Sequence, residues 1–226
     1  MTDIAVLILA KYPEPGAVKT RMVPPLTFEQ AATLHRLSLQ TVCEIVLDTA
    51  QLEATLVVTP DDSVASFGSV VGRSDVAIWP QGEGNLGKRL DRAAGRVFRE
   101  GGRAVLLLGA DSPTLPVSYL QEAIRLLERH EVVLGPSDDG GYYLLGLRGP
   151  HPSLFEQIDW GGPLVASQTR SRARSAELDL AEIPVWYDLD RFDNLKRASD
   201  DLREVAADDA PARRQLCALI ESLTGV

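Results

Sequence analysis

An open, mainly parallel α/β sheet flanked by helices is the fold this sequence predicts, and three observations carry it. Ile4–Ala10 and Ala104–Leu108 are continuous apolar runs of strand length, the pattern of parallel strands buried on both faces. Strand-like and helix-like segments alternate at βαβ spacing through the first ~135 residues. Val105-Leu-Leu-Leu-Gly109-Ala-Asp111-Ser-Pro113 drives an apolar strand straight into a carboxylate on a tight turn. In such sheets the carboxyl ends of the strands form the floor of the ligand crevice.

The elements follow in order. After the first strand a long polar loop runs from Lys11 to Leu26. Thr27-Phe-Glu-Gln30 has the spacing of a capping box, which predicts a helix from there to about Asp48. Ala54–Thr59 reads as a second strand, with a helix starting around Asp61. Val76–Trp79 is a short third strand, Gly82–Gly87 a glycine-rich loop, and Lys88–Arg99 a helix. Ala104–Leu108 is the fourth strand and Val117–Arg129 the next helix. Glu131–Gly135 and Tyr142–Leu147 are further strands. The Asp138-Asp-Gly-Gly141 turn between them interrupts the βαβ rhythm, so a strand beside it is expected to run antiparallel. Pro163–Ala176 is helical and Ile183–Tyr187 a last strand. The charged stretch from about Asp200 is expected to form a surface helical pair. No repeat or linker divides the chain, so residues 1–226 read as a single domain.

Composition narrows the function. The chain has 226 residues, 45% of them apolar, enough for a full core without staples. Its net charge of −9 and lack of a basic run argue against nucleic acid as a partner. A mononucleotide remains open, since it needs only a few cations and some backbone amides. Cys43 and Cys217 lie far apart in apolar helical patterns and read as reduced core residues. His35, His130 and His151 lack zinc-ligand spacing. No apolar run reaches the length of a membrane span and the start lacks a signal-peptide pattern, so the cytoplasm is the expected compartment.

Five segments carry candidate chemistry. Asp111, at a strand end, suits a divalent metal held against phosphates, although such a residue equally starts turns and caps helices. The loop Lys11-Tyr-Pro-Glu-Pro-Gly16-Ala-Val-Lys19-Thr-Arg21 brings three cations onto a proline-stiffened segment with a glycine for close backbone approach. Lying after the first strand, it is expected over nucleotide phosphates. Gly82, Gly84 and Gly87 match G-x-G-x-x-G, but after the third strand and with no acidic residue ending the next one. They are expected to admit a base or phosphate, with a plain turn as the alternative. Asp138, Asp139, Gly140 and Gly141 combine two acids with a hinge, one acid more than a hairpin turn needs. With Trp160 they are the expected substrate contacts. Asp188 and Asp190 alternate and so share a face; Asp190 is the one expected to meet Asp111 at a shared metal, with a helix cap as the alternative.

Together these segments resemble a bacterial family of glycosyltransferase-A-like proteins, labelled nucleotide-diphospho-sugar transferases or arsenosugar-cluster glycosyltransferases. Lys11 to Arg21 matches the family's K-x-P-x-P-G-x-V-K-T-R-L opening, with Met22 for the final Leu. Gly109 to Leu115 matches its G-x-D-x-P-x-L turn, and Gly135 to Tyr142 its G-P-x-x-D-G-G-Y segment. The likeness spans roughly residues 4 to 200. Two positions depart from it. Gly161 and Gly162 follow Trp160 where a W-x-T segment is expected, and Arg191 replaces the Thr of D-x-D-T. The fold is also similar to that of molybdenum-cofactor and phospholactate guanylyltransferases.

The resemblance implies an open sheet of the nucleotide-diphospho-sugar transferase type, a bound nucleotide, and Mg²⁺ or Mn²⁺ held by Asp111 and Asp190. The first expectation is a nucleotidyltransferase moving a nucleotidyl group from an NTP to a phosphorylated small-molecule acceptor. Lys19 and Arg21 would then neutralise pyrophosphate, with Asp139 beside the acceptor. The alternatives are a glycosyltransferase using an NDP-sugar, with Asp139 as base or sugar ligand, and a non-catalytic nucleotide-binding regulator.

Overall fold

The computed structural model describes residues 4–49, 52–204 and 210–225. Its centre is a mixed seven-stranded sheet in the order β3-β2-β1-β4-β6-β5-β7. The strands are β1 (Ile4–Lys11), β2 (Ala54–Thr59), β3 (Ala77–Pro80), β4 (Ala104–Gly109), β5 (Val132–Pro136), β6 (Tyr142–Leu147) and β7 (Leu180–Glu182). β1 pairs in parallel with both β2 and β4. β6 alone runs against its neighbours β4 and β5, where the Asp-Asp-Gly-Gly turn led one to expect it. Val6, Leu7 and Ile8 of β1 are wholly buried, as their unbroken apolar run requires of a central strand.

Helices cover both faces. On one side α1 (Phe28–Asp48), α2 (Val64–Val71) and α4 (Val117–Leu127) close a core around Leu56, Phe67, Leu106 and Leu120. On the other, α3 (Leu86–Arg99) and α5 (Val165–Ser175) pack on Leu7, Leu107 and Leu145. The capping box forms as its spacing demands. Gln30 N donates to Thr27 Oγ1 at 3.2 Å, and Thr27 N donates to Gln30 Oε1 at 2.8 Å.

Two expectations are corrected. Ile183–Tyr187 is not a strand. β7 ends at Glu182, and the segment beyond makes one bridge, Ser137 to Trp186. Beyond β7 the chain is drawn toward the centre of the sheet, because Trp186 N binds Pro136 O and Leu189 N binds Asp111 O at 2.8 Å. The C-terminal helical pair also starts earlier than Asp200 and is not a surface feature. α6 (Asn194–Glu204) and α7 (Pro211–Thr224) bury Leu195, Leu202, Leu216 and Ile220 against Leu34 and Leu37 of α1. Charged composition hid this apolar stripe. Glu44 of α1, itself buried, accepts from Ala212 N and Arg213 N at 2.7 and 3.1 Å, so a carboxylate caps the start of α7.

Candidate functional site

β1 is flanked by β2 on one side and β4 on the other, so the order of strands reverses between β1 and β4. A crevice opens at the carboxyl ends of strands at such a switch point. The loops after β1 and β4 and the segment after β7 meet there.

The Lys19 ammonium joins them. It donates to Asp190 Oδ1 at 2.8 Å and makes a second short bond to Asp111 Oδ1. The Lys19 side chain is only 3% exposed, while those of Asp111 and Asp190 keep 42% and 39%. Lys19 sits in the left-handed backbone region, φ 47°, which a lysine adopts only when its surroundings hold it there. A short 3₁₀ turn, Thr20–Met22, follows and buries Met22 as the anchor of the loop. Leu189 N to Asp111 O fixes the segment carrying Asp190 beside the turn carrying Asp111.

Electrostatics follow from this geometry. Desolvation opposes the charge on Lys19, but the two carboxylates outweigh it and raise its pKa. Desolvation likewise opposes ionisation of Asp111, yet Lys19 and His35 hold its carboxyl well below the usual range. His35, buried on α1, places Nδ1 3.7 Å from Asp111 Oδ1, and its Nε2 lies 3.0 Å from Lys11 O. A carbonyl only accepts, so Nε2 carries the hydrogen. Sequence reasoning passed over His35 because it sought metal spacing and not helix-face burial. It also preferred Asp190 over Asp188 as the partner of Asp111. Asp188 accepts from Ser112 Oγ at 2.6 Å, and burial, helped by the charges of Asp111, Asp190 and Asp139, pushes its pKa up to about 7.

A cleft of about 280 Å³ lies beside this centre. Asp139, Asp188, Asp190 and Ser137 give it a polar lining, and Leu86, Trp160 and Val165 an apolar one. Arg21, Gly141 and Tyr142 complete it, and Arg21 Nη1 stands 4.0 Å from Asp190 Oδ2. Asp139 is held by two donors to one oxygen, Ser137 Oγ at 2.6 Å and Gly141 N at 2.9 Å. A smaller hollow of about 150 Å³ is lined by Lys19, Thr20, Arg21 and Asp190.

The other expected residues fall as follows. Lys11 turns its ammonium onto Ala17 O at 2.8 Å, closing its own loop. Gly16 takes φ 82° with open space where a side chain would stand. Asp138 is exposed and does not line the cleft. Gly140 is demanded by packing, since a Cβ there would stand 2.0 Å from Pro163 O. Gly87 lets α3 approach Trp160 and Phe155 closely. Gly82 and Gly84 take φ 73° and 107° in a loop whose carbonyls are already used. Arg92 donates to Gln81 O and Glu83 O at 2.5 and 2.8 Å, and Arg89 donates to Gly84 O at 2.9 Å. Gly82 N donates to Asp61 Oδ1. These bonds lock the loop from within.

Among the described residues no group of three or more His, Cys, Asp or Glu converges as a metal cage. Two carboxylates converging on one cationic point do fit Mg²⁺ or Mn²⁺, ions that commonly take one or two carboxylates and complete their shell with substrate phosphates and water. Nor, among the described residues, is any helix long and apolar enough to cross a membrane.

Comparison with known proteins agrees with this architecture. A solved structure from Desulfovibrio desulfuricans G20, provisionally assigned as a nucleotide-diphospho-sugar transferase, is 30% identical, with a TM-score of 0.85 over 98% of both chains. A cytidylyltransferase from Leptospira borgpetersenii shares 13% identity at a TM-score of 0.56, over 100% of this chain and 96% of its own. Rv0371c of Mycobacterium tuberculosis H37Rv, solved with manganese, shares 16% at 0.54, over 87% of this chain and 97% of its own. The fold is that of the nucleotide-diphospho-sugar transferases. A search of curated proteins found no match. Residues 42–162 match the model of DUF2064, described as an uncharacterized protein conserved in bacteria. The chain therefore belongs to the DUF2064 family of bacterial proteins.

Proposed function

We propose that this protein is a divalent-metal-dependent glycosyltransferase that uses a nucleoside-diphosphate sugar. The observation that carries the reading is the convergence of Asp111 and Asp190 on a single cationic point at the switch point of the sheet. A divalent ion held by these carboxylates supplies charge neutralisation to the donor's diphosphate, the chief need of transfer from a nucleotide sugar. Arg21, exposed at the rim of both hollows, would bind phosphate oxygens. Lys19 would hold the two carboxylates in register and lend its charge to the same region. Asp139, with Oδ1 fixed by two donors, would orient the acceptor.

The number of available cations favours glycosyl over nucleotidyl transfer, reversing the order suggested by the sequence. Lys11 is spent on Ala17 O and Lys19 on two carboxylates, so Arg21 is the cation of the loop left at the rim. A diphosphate bridged by a metal needs less positive charge than a triphosphate. The provisional assignment of the Desulfovibrio relative supports the same choice. Nucleotidyl transfer stays as the second reading, supported by the shared fold of the Leptospira cytidylyltransferase.

Titration calorimetry in Mn²⁺, with UDP-glucose, GDP-mannose, UTP, CTP and GTP as probes, tests the proposal. The expected result is a nucleotide sugar binding more tightly than any NTP, with the affinity lost on chelation and in Asp111→Asn. An NTP binding more tightly than every nucleotide sugar overturns it.

A further inference from the structure

The cleft beside the Asp111–Lys19–Asp190 centre is lined by side chains of two kinds, acidic and apolar, and their chemistry selects what can enter. Asp139, Asp188 and Asp190 bring carboxyl groups to it. Arg21 is the one cationic residue among those lining it, and it already stands 4.0 Å from Asp190. With Arg21 and Asp190 given to the donor's diphosphate, a further anionic group here would face Asp139 and Asp188 with no second cationic residue in the lining to pair with, an arrangement that costs binding free energy. Hydroxyl groups suit the same residues, because a hydroxyl donates to an ionised carboxylate and accepts from a protonated one.

The rest of the lining includes apolar side chains, one of them well exposed. Leu86, 44% exposed at the first turn of α3, lines the cleft with Trp160 and Val165. Leu164, 55% exposed, precedes Val165 in the chain. Large apolar side chains left exposed at the rim of a concave site suit a ligand with an apolar flank. Tyr142 lines the cleft as well, and its buried hydroxyl has no hydrogen-bond partner among the described residues. Gly161, also in the lining, leaves open space where a side chain would stand.

We infer that this cleft holds the acceptor, and that the acceptor is a hydroxyl-bearing compound with an apolar flank and no anionic group. The inference rests on the transferase reading above and departs from the phosphorylated acceptor suggested by the sequence.

The test is titration calorimetry on the intact protein, with divalent metal chelated so that phosphate is not drawn to the metal point, using three probes: hexyl β-D-glucoside, hexyl phosphate and glucose 6-phosphate. Hexyl glucoside is expected to bind about tenfold or more tightly than either anionic probe, the scale of one unfavourable like-charge contact. Leu86→Ser, at an exposed position, is expected to weaken it severalfold by removing apolar contact, and Asp139→Asn to weaken it by removing an ionised acceptor. Equal or tighter binding of an anionic probe overturns the inference, as does no binding of hexyl glucoside. With Mg²⁺ present, displacement of hexyl glucoside by a nucleotide sugar but not by the matching NDP assigns the cleft to the donor's sugar and also overturns it. Donor binding is read in a separate titration in Mg²⁺. Failure of every nucleotide sugar to bind refutes the glycosyltransferase reading while leaving the probe preference measurable.

Discussion

The Lys19 ammonium donates to Asp190 Oδ1 at 2.8 Å, across 171 positions of sequence. It stands where the carboxylates of Asp111 and Asp190 converge, so any divalent ion sought by those carboxylates must compete with it. Lys19→Met removes the competitor. Manganese affinity of this variant, measured by calorimetry without nucleotide, is expected to rise about tenfold or more, equivalent to ~1.4 kcal/mol. Unchanged or weaker manganese binding would mean that the two carboxylates do not form the metal site.

Asp188 should make stability depend on pH. Its carboxyl, ordinarily near 3.8, is pushed up to about 7, chiefly by burial. The folded state therefore binds a proton that the unfolded state has released at pH values between these two. Stability contributed by this group is full at low pH and falls as pH rises from about 4 to about 7. Asp188→Asn removes the penalty. With metal chelated, the variant should unfold at higher urea than the parent at pH 8, by ~1–4 kcal/mol, and the gap should close near pH 4. A gap independent of pH would show that Asp188 is charged in both states.

Gly140 and Gly16 both have positive φ, 91° and 82°, but only Gly140 is crowded. Gly140→Ala puts a Cβ against Pro163 O at the start of α5, and a loss of ~2–4 kcal/mol is expected. Gly16→Ala meets open space and should lose only ~1 kcal/mol. Urea unfolding of both variants measures the difference, and equal losses would contradict the packing described for Gly140.

Glu44 tests how firmly the C-terminal helices belong to the fold. It is buried on α1 and accepts from the first amides of α7. Glu44→Ala should cost ~2–3 kcal/mol, through two lost charge-assisted bonds and a bare helix start. A single cooperative transition should persist, because α6 and α7 share a core with α1. A separate early transition on the C-terminal side would contradict that packing.

Much of the fold was legible in the sequence because its strands are buried on both faces and read as unbroken apolar runs. β2 and β6 have the expected bounds, and the cap at Thr27 forms as its spacing demands. The end of the chain was less legible. The segment after β7 is fixed by bonds to Pro136 and Asp111, which no local pattern encodes, and the buried stripe of α6 lies among charges. The candidate site was legible by residue type but not by pairing. Sequence put Lys19 on phosphates and Asp111 on a metal, and their mutual contact depends on a backbone in the left-handed region that a lysine does not advertise. The parts played by Asp188 and His35 were not legible because they come from burial beside other charges. Gly140 and Gly87 looked like ligand-facing glycines, yet both are explained by close backbone packing.

Transfer from a nucleoside-diphosphate sugar can be read straight from its products by phosphorus NMR. The protein is incubated in Mg²⁺ with a panel of nucleotide sugars and, separately, with the four NTPs, each with and without hexyl β-D-glucoside. NDP is expected from one nucleotide sugar, its release abolished in Asp111→Asn, and pyrophosphate from no NTP. Pyrophosphate released from an NTP, with every nucleotide sugar left intact, would overturn glycosyl transfer.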